Sequence, residues 1–245
     1  METHDNSERS LSVLVLGESN TGKTCFTDMA SRCLFTTATK FAYYDPTSSE
    51  KRERAIVVDG IRYSLLLADF STTMPAVEDG DVGWYRKLLK TAYETCQGVV
   101  LLFSLTDRSS FDKITKQDYL SIILARKRIT EPSLRVPHQL RYPAGQQRFG
   151  CILVGNKLDL AKDGREVAKE VAQAWADSQG IDYFELDTNK QEPIEEAIRA
   201  LIRSIQRAQR WDAQDLEEEL EKMKQQAAIG SAEKATHPLS TRAGQ

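Results

Sequence analysis

Leu11 to Leu16 is a short apolar run that breaks into Gly17-Glu18-Ser19-Asn20-Thr21-Gly22-Lys23-Thr24, after which polar and apolar residues mix at helical spacing up to Phe35. The pattern predicts a strand, a glycine loop and a helix. Two further strand-like runs, Arg54 to Val58 and Ile61 to Ala68, flank Asp59-Gly60, a dipeptide suited to the positive φ angles of a tight hairpin turn. They are expected to pair antiparallel. Gly98 to Leu105 and Phe149 to Gly155 are almost continuously apolar, as central strands covered on both faces should be. Ile181 to Leu186 reads as a last short strand. Ile194, Ala197, Ile198, Leu201, Ile202 and Ile205 then share one face of a helix. Strands alternating with helices predict an α/β fold: a mostly parallel sheet with helices on both faces and one antiparallel strand from the hairpin.

This patterning divides the chain into a disordered extension over 1–10, a domain over 11–206, an acidic helical extension over 207–228 in which Leu216, Leu220 and Met223 keep helical spacing, and a disordered tail over 229–245. Composition narrows the class without redrawing these boundaries. Of 245 residues, 40% are hydrophobic and 28% charged, with a net charge of −3, which excludes collagenous, mucin-like and wholly disordered chains. The near-neutral balance gives no reason to expect a nucleic-acid partner. No apolar run approaches the ~20 residues of a membrane span, and Met1 to Ser10 is polar, so a cytosolic or nuclear protein is expected. Cys25, Cys33, Cys96 and Cys151 show no metal-binding spacing and are read as buried, reduced thiols.

Candidate chemistry lies at two places. Gly17-x-x-x-x-Gly22-Lys23-Thr24 is a phosphate-binding loop pattern. Its glycines let successive N–H groups turn inward, Lys23 supplies a charge for the β- and γ-oxygens, Thr24 offers a hydroxyl to Mg²⁺, and the helix that follows points its positive end at the anion. Asn156-Lys157-x-Asp159 follows an apolar strand, where ligands bind in open α/β sheets. A carboxylate there can accept two hydrogen bonds from guanine that adenine cannot supply, so the pair of motifs points to GTP.

With both motifs in order, residues Leu11 to Ile205 resemble the small GTPases, most closely the Ras-like branch. The resemblance implies a six-stranded P-loop NTPase G domain that binds GTP or GDP with Mg²⁺. It assigns Gly17, Ser19, Asn20, Thr21, Gly22, Lys23, Thr24 and Cys25 to the phosphate loop, and Phe35 to the guanine edge. Tyr44-Asp45-Pro46-Thr47 resembles the first switch, whose Thr47 would meet Mg²⁺ and the γ-phosphate; Asp69 resembles the aspartate that holds Mg²⁺ through water. Asn156, Lys157 and Asp159 would read the base, with Asp187-Thr188 as a changed form of the family's Ser-Ala element, acting mainly through backbone N–H. Lys23, Thr47 and Thr73 are the catalytic candidates. The metal set is Thr24, Thr47 and Asp69. A monomer that meets effector and regulatory proteins through its switch loops is implied.

Several departures bear on activity. Where Ras-like proteins read Asp-x-x-Gly-Gln, this chain reads Asp69-Phe70-Ser71-Thr72-Thr73. Thr72 has less backbone freedom than glycine, and Thr73 is too short to orient water as glutamine does, so slow hydrolysis is expected. The intervals from Lys23 to Thr47 and from Asp69 to Gly98 are both longer than in Ras, which predicts enlarged switches. Arg126 to Arg148 forms an insertion with six basic residues and one acid, Glu131, read as a solvated loop with a docking site for an acidic protein or phosphoinositide as the alternative. No cysteine follows Cys151, Glu2 excludes myristoylation, and the segment after Ile205 is not polybasic, so no stable lipid anchor is expected and membrane contact would run through a partner. Three readings stay open: a slow signalling GTPase, a non-hydrolysing GTP-bound scaffold, and an ATP-using kinase with the same phosphate loop.

Overall fold

A computed structural model describes residues 8–31, 53–71, 83–130 and 148–236. The expected strands are present. β1 (Arg9–Gly17) pairs in parallel with β3 (Ile61–Ser71) on one side and β4 (Gly98–Ser104) on the other. β4 continues in parallel to β5 (Gly150–Asn156) and then β6 (Asp182–Glu185), while β2 (Glu53–Val58) pairs antiparallel with β3 at the opposite edge. The six-stranded order is β2-β3-β1-β4-β5-β6. Asp59 (φ 51°) and Gly60 (φ 79°) make the left-handed turn that the β2–β3 hairpin needs.

Alternate residues of the central strands supply two cores. Val13, Val15, Val100, Leu102, Ile152 and Val154 pack under α1 (Lys23–Ser31) and α7 (Gln191–Thr236). Leu14, Leu16, Val99, Leu101, Phe103 and Leu153 face the other layer. That layer holds α2 (Gly83–Thr95), α3 (Arg108–Lys113), a π-helical turn (Ile114–Asp118), α4 (Tyr119–Thr130), the short α5 (Ala161–Gly164) and α6 (Lys169–Gln179). The six apolar positions from Ile194 to Ile205 are all at most 1% exposed, so the helical spacing marks the buried face of α7. Gly150 permits that contact: a Cβ there would lie 2.3 Å from the Ile205 backbone nitrogen.

Several boundaries move. Arg9 and Ser10, expected in the disordered extension, are part of β1, because the long β3 offers backbone partners at Tyr63 and Ser64 whatever side chains they carry. The expected helical extension is continuous with the domain's last helix across 206. α7 continues because Ala208 and Asp212 are buried and Arg148 binds both Asp212 and Asp215. It runs to Thr236, past the expected boundary at 228, and Ala232, Glu233, Lys234 and Ala235 are good helix formers within that stretch. Cys96 and Cys151 are buried as expected, but Cys25 is exposed, since Phe26, Met29 and Ala30 take the inward side of α1. Cys33 lies outside the described residues. The ends of the basic insertion are structural. Arg126 is 7% exposed, donates to the carbonyls of Tyr93 and Cys96 and stacks on Phe149. Residues 131–147 are outside the described set.

Candidate nucleotide-binding site

The carboxyl ends of β1, β3, β4 and β5 converge, with Gly17 opposite Ser71 and Ser104 opposite Asn156, at the end of the sheet where open α/β folds bind ligands. From β1 the chain turns through Glu18–Gly22 into α1. Asn20 (φ 63°) and Gly22 (φ 94°) adopt the left-handed conformation that curls this loop. Thr21 closes it from inside, its N–H and hydroxyl both donating to the Glu18 carbonyl, the hydroxyl at 2.8 Å.

Lys23 is 8% exposed, and its Nζ donates to the same Glu18 carbonyl at 2.6 Å. Burial lowers its pKa from the ordinary lysine value; the Asp69 carboxylate opposes that shift and Lys113 adds to it. A largely buried ammonium with a carbonyl as its hydrogen-bond acceptor is suited to phosphate oxygens, which bring the missing negative charge. One residue on, the Thr24 hydroxyl donates to Asp69 Oδ2 at 2.7 Å. A hydroxyl and a carboxylate are hard oxygen donors, which suits Mg²⁺ better than a nitrogen- or sulfur-preferring metal. No group of three or more His, Cys, Asp or Glu side chains suited to a metal occurs among the described residues, so a metal here would need ligand and water oxygens as well.

The residues expected to read the base are braced against this loop. Asn156 is 1% exposed; its Nδ2 donates to the Thr21 carbonyl at 2.9 Å, and its buried Oδ1 has no hydrogen-bond partner among the described residues. Gly22 is required beside it, because a Cβ would come within 2.3 Å of Asn156 Nδ2. Lys157 is left-handed (φ 64°), a conformation seldom taken by a residue with a side chain, and it turns the chain out of β5 so that Asp159 is exposed. The Leu158 N–H donates to the Leu186 carbonyl, which holds this turn beside Asp187-Thr188. The Asp187 carboxylate is occupied within its own turn: it accepts from the backbone N–H and the side-chain amide of Asn189, each at 2.9 Å. Asp187 therefore shapes the turn through its Oδ1.

The structure thus brings Gly17, Ser19, Asn20, Thr21, Gly22, Lys23, Thr24, Cys25, Asp69, Asn156, Lys157, Asp159, Asp187 and Thr188 to one end of the sheet. Phe35, Thr47, Thr72 and Thr73 lie outside the described residues. The sequence reading passed over Glu18 and Lys113, whose side chains meet at the loop at 3.5 Å. No local pattern links positions so far apart. Tyr85 was also passed over; its hydroxyl donates to the Ser71 carbonyl at the end of β3.

Comparison with known proteins agrees with this geometry. Residues 12–207 match the family model described as "Ras family". Human Ras-related protein Rab-7b is 28% identical over 170 residues, 68% of this chain and 75% of the relative. Ras-like protein rasZ of Dictyostelium discoideum is 27% identical over 195 residues, 79% of this chain and 74% of the relative. GTP-binding protein ypt2 of Schizosaccharomyces pombe is 25% identical over 205 residues, covering 84% and 85%. With a phosphate loop, a guanine-type base element and a family match over most of its length, the chain belongs to the Ras family of small GTP-binding proteins.

Proposed function

We propose that the chain is a GTP/GDP switch in signalling with slow intrinsic hydrolysis, whose enlarged switch segments are read by effector and regulatory proteins. The observation that carries this is the convergence of buried Lys23, the Thr24–Asp69 pair and the Asn156 brace at one end of the sheet. Lys23 and the loop N–H groups bind the phosphates. Thr24 and Asp69, with Thr47, would hold Mg²⁺, which when bound neutralises phosphate charge. Asp159 selects guanine by accepting two hydrogen bonds from the base.

Hydrolysis in this family rests on positioning and charge stabilisation, with a glutamine orienting the attacking water. Thr73 stands where that glutamine is expected and Thr72 where the adjoining glycine is. Single-turnover hydrolysis is expected at or below intrinsic Ras, roughly 10⁻⁴ s⁻¹. Thr72→Gly combined with Thr73→Gln should raise it. The chain's own Thr72 and Thr73 also favour one second reading, a scaffold that keeps GTP as a structural ligand. Chromatography of nucleotide released from the purified protein over hours separates the two: conversion to GDP supports the switch, and persistent GTP supports the scaffold. ATP bound as well as GTP in a competition titration would overturn both.

A further inference from the structure

Glu18 places a carboxylate in a loop built to bind phosphate, which is a charge mismatch by itself. Its backbone carbonyl accepts Lys23 Nζ at 2.6 Å, so residue 18 touches the cation that is to face the nucleotide. The Glu18 carboxylate meets Lys113 Nζ, at the end of α3, at 3.5 Å, with 25% and 21% of the two side chains exposed. Lys23 lies within electrostatic reach of both. We propose that Lys113 is a positioning residue for nucleotide binding: it holds the Glu18 carboxylate against α3, away from Lys23, and offsets its charge at the mouth of the phosphate site.

This rests on the loop being the phosphate site. Without Lys113, an unbalanced negative charge stands beside the incoming phosphates, and the carboxylate is free to take Lys23 as its own partner. Both effects oppose binding, and more strongly for GTP than for GDP because GTP carries the larger charge. A pair this exposed is also weakened by salt.

The test uses the 245-residue chain with GDP and with a non-hydrolysable GTP analogue in Mg²⁺ buffer, read by calorimetry. Lys113→Ala should raise the Kd for GDP by roughly three- to tenfold and that for the GTP analogue by more. Lys113→Arg should stay near wild type. Adding Glu18→Gln to Lys113→Ala should restore affinity to within about twofold, and 0.5 M KCl should shrink the Lys113→Ala defect. A double variant as weak as Lys113→Ala, or a defect insensitive to salt, would show that Lys113 acts only as packing and would overturn the proposal. An unchanged Kd in Lys113→Ala with normal wild-type binding overturns it too. Wild-type protein that binds neither nucleotide overturns the reading of the site, and the role of Lys113 falls with it.

Discussion

On the proposed function, Asp159 and Lys23 divide recognition between them, one reading the base and the other the phosphates. Asp159 is exposed at the turn that left-handed Lys157 creates, so its carboxylate is open to ligand donors. Asp159→Asn should weaken GTP binding by roughly a hundredfold or more, because it unmatches two hydrogen bonds to the base, and should improve relative affinity for xanthine nucleotides. A competition titration in which the variant keeps its guanine preference would remove Asp159 from base reading. Lys23 makes a prediction about pH. Its folded-state pKa is lowered, so between that value and the ordinary lysine pKa the unfolded chain binds more protons than the folded one. Stability of the nucleotide-free protein should therefore rise with pH across that alkaline window, and at neutral pH the cost of burying the charge is fully present. Lys23→Met should bind nucleotide poorly yet, when empty, melt at a higher temperature than empty wild type at pH 7, without the alkaline rise. A lower melting temperature would mean that the Lys23–Glu18 hydrogen bond outweighs desolvation.

Among the elements, α7 and β2 are joined by a charge pair that periodicity does not reveal. Arg54 and Glu195 are 6% and 8% exposed; the guanidinium binds Glu195 and the Ala30 carbonyl at the end of α1. Removing one partner leaves the other buried and uncompensated. Glu195→Ala should cost about 3–5 kcal/mol in urea unfolding, and Arg54→Met with Glu195→Leu should cost less than Glu195→Ala alone. A double variant less stable than Glu195→Ala would mean the pair contributes net stability. Sequence alone made the elements legible, because the runs of Val, Leu and Ile in β4 and β5 and the apolar face from Ile194 to Ile205 record burial directly. The two nucleotide motifs were legible for a similar reason, since their residues lie close together in the chain. What stayed hidden were pairings between distant positions: Arg54 with Glu195, Glu18 with Lys113, and Arg148 with Asp212. Charged residues read as solvated until the fold supplies a partner. The hydroxyl and carboxylate of Thr24 and Asp69 were brought together only by the resemblance, and the fold gives that pairing its 2.7 Å distance.

For the molecule as a whole, α7 unites regions of very different burial. Its 46 residues span about 69 Å at 1.5 Å per residue, more than one packed domain requires. From Ile194 to Ala208 its inward positions are buried under the sheet, whereas positions 213–225, apart from half-buried Leu216 and leaving out residue 219, are exposed. Amide hydrogen exchange should be slow along the first stretch and faster by orders of magnitude along the second. Equal protection would show that something covers the exposed part in solution.

The buried ammonium of Lys23 also links ligand occupancy to the survival of the fold. A ligand that binds the folded chain alone stabilises it by mass action, by about 2.7 kcal/mol at a hundred times its Kd. The melting temperature should climb with added GDP and drop when nucleotide is stripped by chelation and dialysis. For typical marginal stability, a shift of that size is a large fraction of the total. In a living cell, a variant that has lost nucleotide affinity would then be cleared by quality control as well as silenced. Its steady-state abundance would report on the phosphate loop as directly as a nucleotide-binding assay.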